Sequence, residues 1–452
     1  MNLLINDIIT AVATPIGEGA ISVIRVSGEN SFRTVDSIFK GKTKISFAAS
    51  HTIHYGKIID EKGVVVDDVL VSVFRGPNSY TGEDSVEIST HGNSIITKKI
   101  LELLLSKDVR SAEPGEFTKR AFLNGKIDLS QAEAVLDLIK SRTDSALRGA
   151  RNQLDGLLSQ KVHVLRQSLL NASSLIELEL DFSEEGYEFM PKGEIIEKID
   201  KVLKEIDYLL DSYRFGKVLR DGINLAIIGE PNVGKSSLLN YILKEARAIV
   251  SDIPGTTRDI IREEISIDGV LFKIFDTAGI RKSEDIIEIE GVKRSLEAVK
   301  NADVILWLTD VNNNYSETIK NELNKFTNPK KIIKVVNKID LGQNNDIEAD
   351  VYISSKTGEG ISTLFDEMKK HAVGEGVYTE KSTVINNVRH YNALKRTVEY
   401  LDSAKNSIYQ EMSGEFIAVD LRNAIDSLSE IIGIVTTDDI LNNIFDKFCI
   451  GK

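Results

Sequence analysis

Gly229-Glu230-Pro231-Asn232-Val233-Gly234-Lys235-Ser236 fits the pattern G-x-x-x-x-G-K-[ST] at every fixed position. The chemistry that spacing serves is the cradling of a polyphosphate. Gly229 and Gly234 let the backbone turn so that successive N–H groups face phosphate oxygens. Lys235 reaches the β- and γ-phosphates, and the Ser236 hydroxyl coordinates Mg²⁺. Asn232, Val233, Gly234, Lys235, Ser236 and Ser237 are the nucleotide-binding residues of this stretch, with Lys235 also catalytic. Such a loop works only between a strand and a helix, whose positive end it borrows. The apolar run Ile223 to Ile228 supplies the strand, and Ser237 to Leu243 opens the helix.

Further along, Val270 to Phe275 reads as a strand ending in Asp276-Thr277-Ala278-Gly279. A carboxylate there can hold Mg²⁺ through water, and the Gly279 N–H can face the γ-phosphate. Val304 to Thr309 and Ile332 to Val336 are two more buried strands, the second ending in Asn337-Lys338-Ile339-Asp340, and a further strand ends at Ser354-Ser355-Lys356. Asp340 can accept from both N1–H and the exocyclic amine of guanine, a donor pair that adenine lacks. The nucleotide expected is therefore GTP.

The chain has 452 residues, enough for about three domains. With 56 basic against 69 acidic residues its net charge is −13, so it is not built as a whole to attract polyanions. Contact with nucleic acid then needs a local basic surface or a partner. Met1 to Thr10 holds Asp7 and no basic residue, which argues against a secretory or transit signal. No uninterrupted apolar run is long enough to span a bilayer, and the expected location is cytoplasmic with no membrane association. A single cysteine, Cys449, excludes an internal disulfide and a multi-cysteine metal site.

The fold class expected is multidomain: an α+β N-terminal domain, a mainly helical central domain, and an α/β P-loop GTPase domain inserted into it. Residues 1–118 carry strand-like runs at Ala20 to Val26, Thr52 to Ile59, Val64 to Phe74 and Ser85 to Ser89, with helices at Ser31 to Phe39 and Ile95 to Leu105. Turn and charge chemistry beyond what a simple fold needs gathers at Thr14 to Gly19, at Gly76 to Asp84, and at His91-Gly92. Ser130-Gln131-Ala132-Glu133 reads as a capping box opening a helical stretch. Residues 119–218 and 379–452 are then two parts of one helical domain, interrupted by the nucleotide domain at 219–378. Between 119 and 170 nine basic residues face five acidic ones, which reads as a solvated helix face in preference to an RNA-facing surface.

The order G-x-x-x-x-G-K-S, T-T, D-x-x-G, N-K-x-D, S-S-K resembles the small GTPase superfamily in every motif. One position departs: Ile280 stands where signalling members have a glutamine that orients the attacking water, and an isoleucine cannot hydrogen-bond water. From end to end the chain resembles the MnmE (TrmE) family of bacterial tRNA-modification GTPases. The matching stretches are A-T-P-I-G-E-G-A-I-S-V-I-R-V-S-G, G-P-N-S-Y-T-G-E-D, P-G-E-F-T-K-R-A-F-L-N-G-K-I-D-L-S-Q-A-E-A, D-I-P-G-T-T-R-D and the terminal F-C-I-G-K.

That resemblance implies a homodimer through the N-terminal domains, each carrying a tetrahydrofolate derivative (5-formyl- or methylene-tetrahydrofolate). It implies nucleotide domains that associate with GTP and K⁺ bound. It also implies an FAD-containing MnmG-like partner, in a heterotetramer, with which an aminomethyl or carboxymethylaminomethyl group is placed on carbon 5 of the wobble uridine of certain tRNAs. By the same matching Arg25, Glu87, Lys126 and Lys452 would contact folate. Asn232 would ligate K⁺ with Ser251, Ile253 and Thr256, and Thr257 would join Ser236 on Mg²⁺. Glu288 would orient the water, and Asp252, Pro254 and Gly255 would complete the switch segment beside the nucleotide.

Cys449 near a terminal Lys452 fits a prenylation box poorly. The resemblance brings the terminal motif toward the folate pocket, which leaves the thiol as nucleophile, acid or packing group. The phosphate motifs alone do not exclude a regulatory GTPase switch of the ribosome-assembly type, without chemistry on RNA; binding of a folate separates the two.

Overall fold

In a computed structural model the described residues are 7–181, 191–245, 247–248, 262–275, 299–326, 328–342, 347–374 and 382–452. Two compact units emerge, residues 1–136 with 429–452, and residues 137–428.

The first unit is built on a seven-stranded sheet. Its strands are β1 (Ile8–Val12), β2 (Gly19–Ser27), β3 (Phe39–Gly41), β4 (Thr52–Ile59), β5 (Val65–Phe74), β6 (Ser85–Gly92) and β7 (Val109–Ser111), in the order β3-β4-β5-β6-β2-β1-β7. All neighbours run antiparallel except β1 and β7. Val69, Val71 and Val73 alternate with solvent-facing residues along β5, and with Val86, Ile88, Ile24 and Val26 they turn one face inward. Against that face lie α1 (Ser31–Asp36) and α2 (Ser94–Leu105), which buries Ile100 and Leu104. Asn93 caps α2, its side chain accepting from the N–H groups of Ile95 and Ile96. The opposite face leaves Ile53, Tyr55 and Leu70 exposed.

The helix expected over 31–39 ends at Asp36, and Phe39 starts a strand instead. The Phe39 ring lies over the backbone of Gly41 and Gly56, where any Cβ would come within 2.5 Å of it. Two glycines therefore make room for an aromatic ring at the sheet edge.

Further along come α3 (Glu116–Leu123), α4 (Leu129–Lys140), α5 (Asp144–Leu154), α6 (Leu157–Asp181) and α7 (Lys192–Asp221). The capping box of α4 sits two residues earlier than its sequence suggests. Asp128 accepts from the Gln131 N–H at 2.9 Å, and the Gln131 side-chain oxygen accepts from the Asp128 N–H at 2.9 Å. Asp128 outcompetes Ser130 because its longer carboxylate also takes the Ser130 hydroxyl, at 2.9 Å. In the first unit Leu129, Ala132 and Leu136 pack with Leu441, Ile444, Phe445 and Phe448 of the C-terminal region.

In the second unit α7 leads straight into a second seven-stranded sheet. Its strands are β8 (Ile223–Gly229), β9 (Arg247–Ala248), β10 (Arg262–Ile267), β11 (Val270–Phe275), β12 (Val304–Asp310), β13 (Ile332–Asn337) and β14 (Val351–Tyr352), ordered β14-β13-β12-β8-β11-β10-β9. The five strands from β14 to β11 are parallel. Every residue of β12 is buried, as a central strand covered on both faces requires. On one side Leu238 and Ile242 of α8 (Lys235–Glu245) join the core, and on the other Leu323 of α9 (Glu317–Phe326) does. Leu364 and Met368 of α10 (Ile361–Val373) share the core with α8.

The chain returns to helix in α11 (Val388–Tyr409), α12 (Gly414–Ile432) and α13 (Asp438–Phe445). Asp137 ties the outgoing and returning segments together. It accepts from Arg220 Nε at 2.8 Å and from Asn386 Nδ2 at 3.2 Å, while the Ile385 N–H donates to Ser212 Oγ at 3.2 Å.

Candidate functional site

Parallel sheets of this kind bind ligands beyond the carboxyl ends of their strands, and there the nucleotide motifs meet. β8 stops at Gly229 and α8 starts at Lys235, so the five intervening residues form the turn. Val233 is buried in the core and anchors it. Asn232 is exposed and adopts a left-handed conformation, φ 63°. Gly234, at φ +95°, can carry no side chain, because a Cβ would lie 2.2 Å from Asn337 Nδ2.

That contact marks the central tie of the site. Asn337, fully buried at the end of β13, donates to the Val233 carbonyl at 2.9 Å and accepts from the Ser355 N–H at 3.0 Å. One amide thus holds the phosphate loop, the Asn337–Asp340 turn and the Ser354–Lys356 turn in register.

Lys235 curls over the loop, its Nζ donating to the carbonyls of Gly229 at 2.9 Å and Glu230 at 2.8 Å. Burial pushes its ammonium below the usual lysine value, and the Glu230 carboxylate opposes that shift. Ser236 and Ser237 are exposed on the first turn of α8. Ser236 thus offers a hard oxygen donor beside Lys235, the donor type Mg²⁺ takes.

Asp340 is exposed, and one of its oxygens accepts from Ser354 Oγ at 2.7 Å. Ser354 in turn accepts from the Thr357 N–H at 3.1 Å, which holds its hydroxyl toward the carboxylate. Lys338, left-handed at φ 63°, donates to Asp310 at 2.8 Å. Burial raises the Asp310 carboxyl, but Lys338, the Asn312 N–H and the Asn313 amide outweigh burial and hold it below the ordinary aspartate range. Sequence reasoning passed over Asp310; its signal was an acidic residue closing an otherwise apolar strand. Lys356 is exposed beside them.

Ser251, Asp252, Ile253, Pro254, Gly255, Thr256 and Thr257, with Asp276, Thr277, Ala278, Gly279, Ile280 and Glu288, lie outside the described residues. Among the described residues no group of three or more His, Cys, Asp or Glu side chains could hold a metal ion.

In the first unit a second constellation forms on the sheet. Arg25 and Glu87 face each other in register on β2 and β6, and Arg25 donates to Glu87 through Nε at 3.0 Å and Nη2 at 2.8 Å. The Arg25 guanidinium sits 5.2 Å from the Tyr80 ring and 5.5 Å from the Phe117 ring. Lys126 Nζ donates to the Pro77 carbonyl at 2.9 Å, closing the Gly76–Asp84 loop that carries Tyr80. Lys452 accepts at its carbonyl from the Phe117 N–H at 3.1 Å and donates to the Cys449 carbonyl at 3.3 Å. Arg25, Glu87 and Lys126 therefore gather around one loop, with Lys452 tied to Phe117. Cys449 is exposed.

Arg120, counted above among solvated basic residues, belongs to the interior. Its side chain is 1% exposed and meets three carboxylates: Asp7 at 2.6 Å, Glu116 at 3.0 Å and Glu83 at 3.2 Å. An unpaired guanidinium could not be buried, so these partners are what admit it.

Against known families, a model described as the MnmE helical domain matches residues 129–449, and one described as the GTP-binding protein TrmE N-terminus matches residues 8–126. "tRNA modification GTPase MnmE" of Christiangramia forsetii is 43% identical over 99% of this chain and 100% of that protein. The protein of the same name from Carboxydothermus hydrogenoformans is 42% identical over 99% of this chain and 100% of its own. That of Clostridioides difficile is 45% identical over the full length of both.

Proposed function

The chain belongs to the MnmE family of tRNA modification GTPases, and from that membership we propose a K⁺-dependent GTP hydrolase that works with an MnmG-like flavoprotein. Together they install an aminomethyl or carboxymethylaminomethyl group on carbon 5 of the wobble uridine, drawing the carbon from a tetrahydrofolate derivative. The observation that carries the nucleotide half is the Asn337 tie, which sets a phosphate loop and a guanine-reading carboxylate in one rigid frame.

Within that frame Asp340 pairs with N1–H and the exocyclic amine of guanine, one oxygen already oriented by Ser354. Lys235 exchanges its two loop carbonyls for the β- and γ-phosphate oxygens, which restores the charged partner that burial denies it. Ser236 and Thr257 would hold Mg²⁺, and Asn232, Ser251, Ile253 and Thr256 would hold K⁺, two cations that neutralise charge developing between the β- and γ-groups. Glu288 would orient the water, a task that Ile280 cannot perform. Asp276 would hold Mg²⁺ through water, the Gly279 N–H would face the γ-phosphate, and Gly255 would lie beside the nucleotide.

In the N-terminal domain, residues 1–118, the Arg25–Glu87 pair presents one donor face and one acceptor group beside two aromatic rings. That combination suits a pterin, which is flat and carries both kinds of hydrogen-bonding edge. Lys126 and Lys452 add positive charge for the carboxylates of a folate. Bound there, the folate supplies the one-carbon unit. Cys449 stands close in sequence to Lys452 and is assigned to the same region. A second copy of the chain would cover the outer sheet face, where Tyr55 and Leu70 pair across β4 and β5 and remain exposed. The helical parts, 119–218 and 379–452, carry the inserted nucleotide domain, 219–378. Among the described residues no helix is long and apolar enough to cross a membrane, and the cytoplasm is where tRNA is met.

The test is calorimetry of the full-length protein with 5-formyltetrahydrofolate. Binding that Arg25→Ala abolishes supports the proposal. No binding under saturating conditions leaves a GTPase without one-carbon chemistry.

A further inference from the structure

Asp310 closes β12 opposite Asn337, and its side chain is 6% exposed. One carboxylate oxygen, Oδ1, accepts from the Asn312 N–H at 3.1 Å and from the Asn313 amide at 2.8 Å. The other, Oδ2, accepts from Lys338 Nζ at 2.8 Å. An ion pair with one buried partner is a poor staple, because desolvating the charges offsets most of their attraction. The strands need no such staple, since β12 and β13 are paired along their length and Asn337 ties the turns beyond them. What Asp310 does control is where one ammonium goes.

A second carboxylate stands within reach of the same lysine. Lys338 to Leu341 form one turn, closed by the Leu341 N–H donating to the Lys338 carbonyl at 3.0 Å. The ends of such a turn lie within about 7 Å of each other, and a lysine's flexible stem spans that distance to Asp340. Asp340 is exposed, and among the described residues only its Oδ1 is engaged, by Ser354. A carboxylate that reads guanine must stay open to two N–H donors at once, and an ammonium seated on it competes with both. Two acids therefore share one mobile cation, and in this structure the buried one holds it.

We infer that Asp310 is a positioning residue for guanine recognition: by holding the Lys338 ammonium at the end of β12 it keeps Asp340 free to meet the base. This rests on the reading of Asp340 as the guanine acceptor. Without the Asp310 carboxylate the free protein divides between a form ready for guanine and one in which Lys338 closes on Asp340. Apparent affinity for the nucleotide then falls by the fraction that stays ready. An exposed lysine–carboxylate pair shifts such an equilibrium by up to about fivefold.

The test is calorimetry of the full-length protein with a non-hydrolysable GTP analogue at fixed K⁺ and Mg²⁺. Asp310→Asn severs this one tie, since its carbonyl can still accept from Asn312 and Asn313 while its amide nitrogen takes the place of Oδ2. The variant is expected to melt close to the wild type and to bind the analogue about three- to fivefold more weakly. Raising the ionic strength to about 1 M with choline chloride, where the screening length is about 3 Å, is expected to close most of that gap to the wild type in the same salt. In a Lys338→Met background, which has no ammonium to misplace, the same Asp310→Asn change is expected to leave affinity where Lys338→Met alone puts it. Wild-type affinity in Asp310→Asn overturns the inference. So does an equal loss with and without the lysine, which would make Asp310 a support for the loop as a whole. Asp340→Ala separates the two levels. If it binds the analogue as tightly as the wild type, Asp340 does not read guanine and the inference falls with that reading; if it loses about tenfold or more while Asp310→Asn loses nothing, only the inference falls.

Discussion

The Asn337 side chain donates to the Val233 carbonyl over 2.9 Å, joining the turn after β13 to the phosphate loop after β8 across more than a hundred residues of sequence. Because the same amide accepts from the Ser355 N–H, its removal strands a buried carbonyl and a buried N–H together. Each unpaired group costs about 1–3 kcal/mol. Asn337→Ala is therefore expected to weaken GTP binding by about 10- to 100-fold in calorimetry. Unchanged affinity would mean that the loops hold their register without it.

Asp340 owes its orientation to Ser354 and its selectivity to being an acceptor. Asp340→Asn exchanges one acceptor for a donor, which repels the guanine amine and suits the carbonyl that xanthine carries there. Competition binding is expected to show loss of GTP and gain of xanthosine triphosphate. A variant that still prefers GTP would assign base reading to another residue.

Ile280 cannot position water, and Asn232 is exposed in a left-handed turn at the loop. Hydrolysis is expected to run at least about tenfold faster in K⁺ than in Na⁺ at equal ionic strength, the gain a charge-neutralising group gives at a phosphoryl transfer. Equal rates would remove the alkali ion from the mechanism.

Glu116 is 4% exposed; burial alone would raise its carboxyl, but Arg110, the Glu113 N–H and Arg120 bring it below the ordinary 4.5. A carboxyl depressed in the folded state adds stability that is fully present above its unfolded value, and that is lost as pH falls through the folded one. Melting temperature is therefore expected to drop as pH is lowered from 5 toward 3, and Glu116→Gln to be destabilised at pH 7 with the gap narrowing in acid. A gap that does not change with pH would mean that Glu116 acts through shape and not charge.

Much of the candidate nucleotide site was legible because its residues sit in contiguous motifs: residues 229–236, 337–340 and 354–356 must follow one another in the chain to form their turns. The ties between those turns were not legible, since Asn337 to Val233 and Lys338 to Asp310 depend on strand order. Strand alternation in β4, β5 and β6 read correctly because one face is buried. The Phe39 strand was missed because its ring rests on Gly56 of the neighbouring strand as well as on Gly41, a contact that strand pairing makes. Charge counting misplaced Arg120 for the same reason: its partners Asp7 and Glu83 are 113 and 37 residues away in sequence.

GTP turnover that drives uridine modification is the central claim, and one measurement reaches it directly. Wobble-uridine nucleosides are quantified in tRNA from cells whose only copy is wild type or Lys235→Ala, a change that removes the ammonium bound over the phosphate loop without touching the N-terminal sheet. The expected result is C5-substituted uridine with the wild type and its loss with Lys235→Ala. Full modification with the alanine variant would show that the chemistry on tRNA proceeds without the nucleotide site.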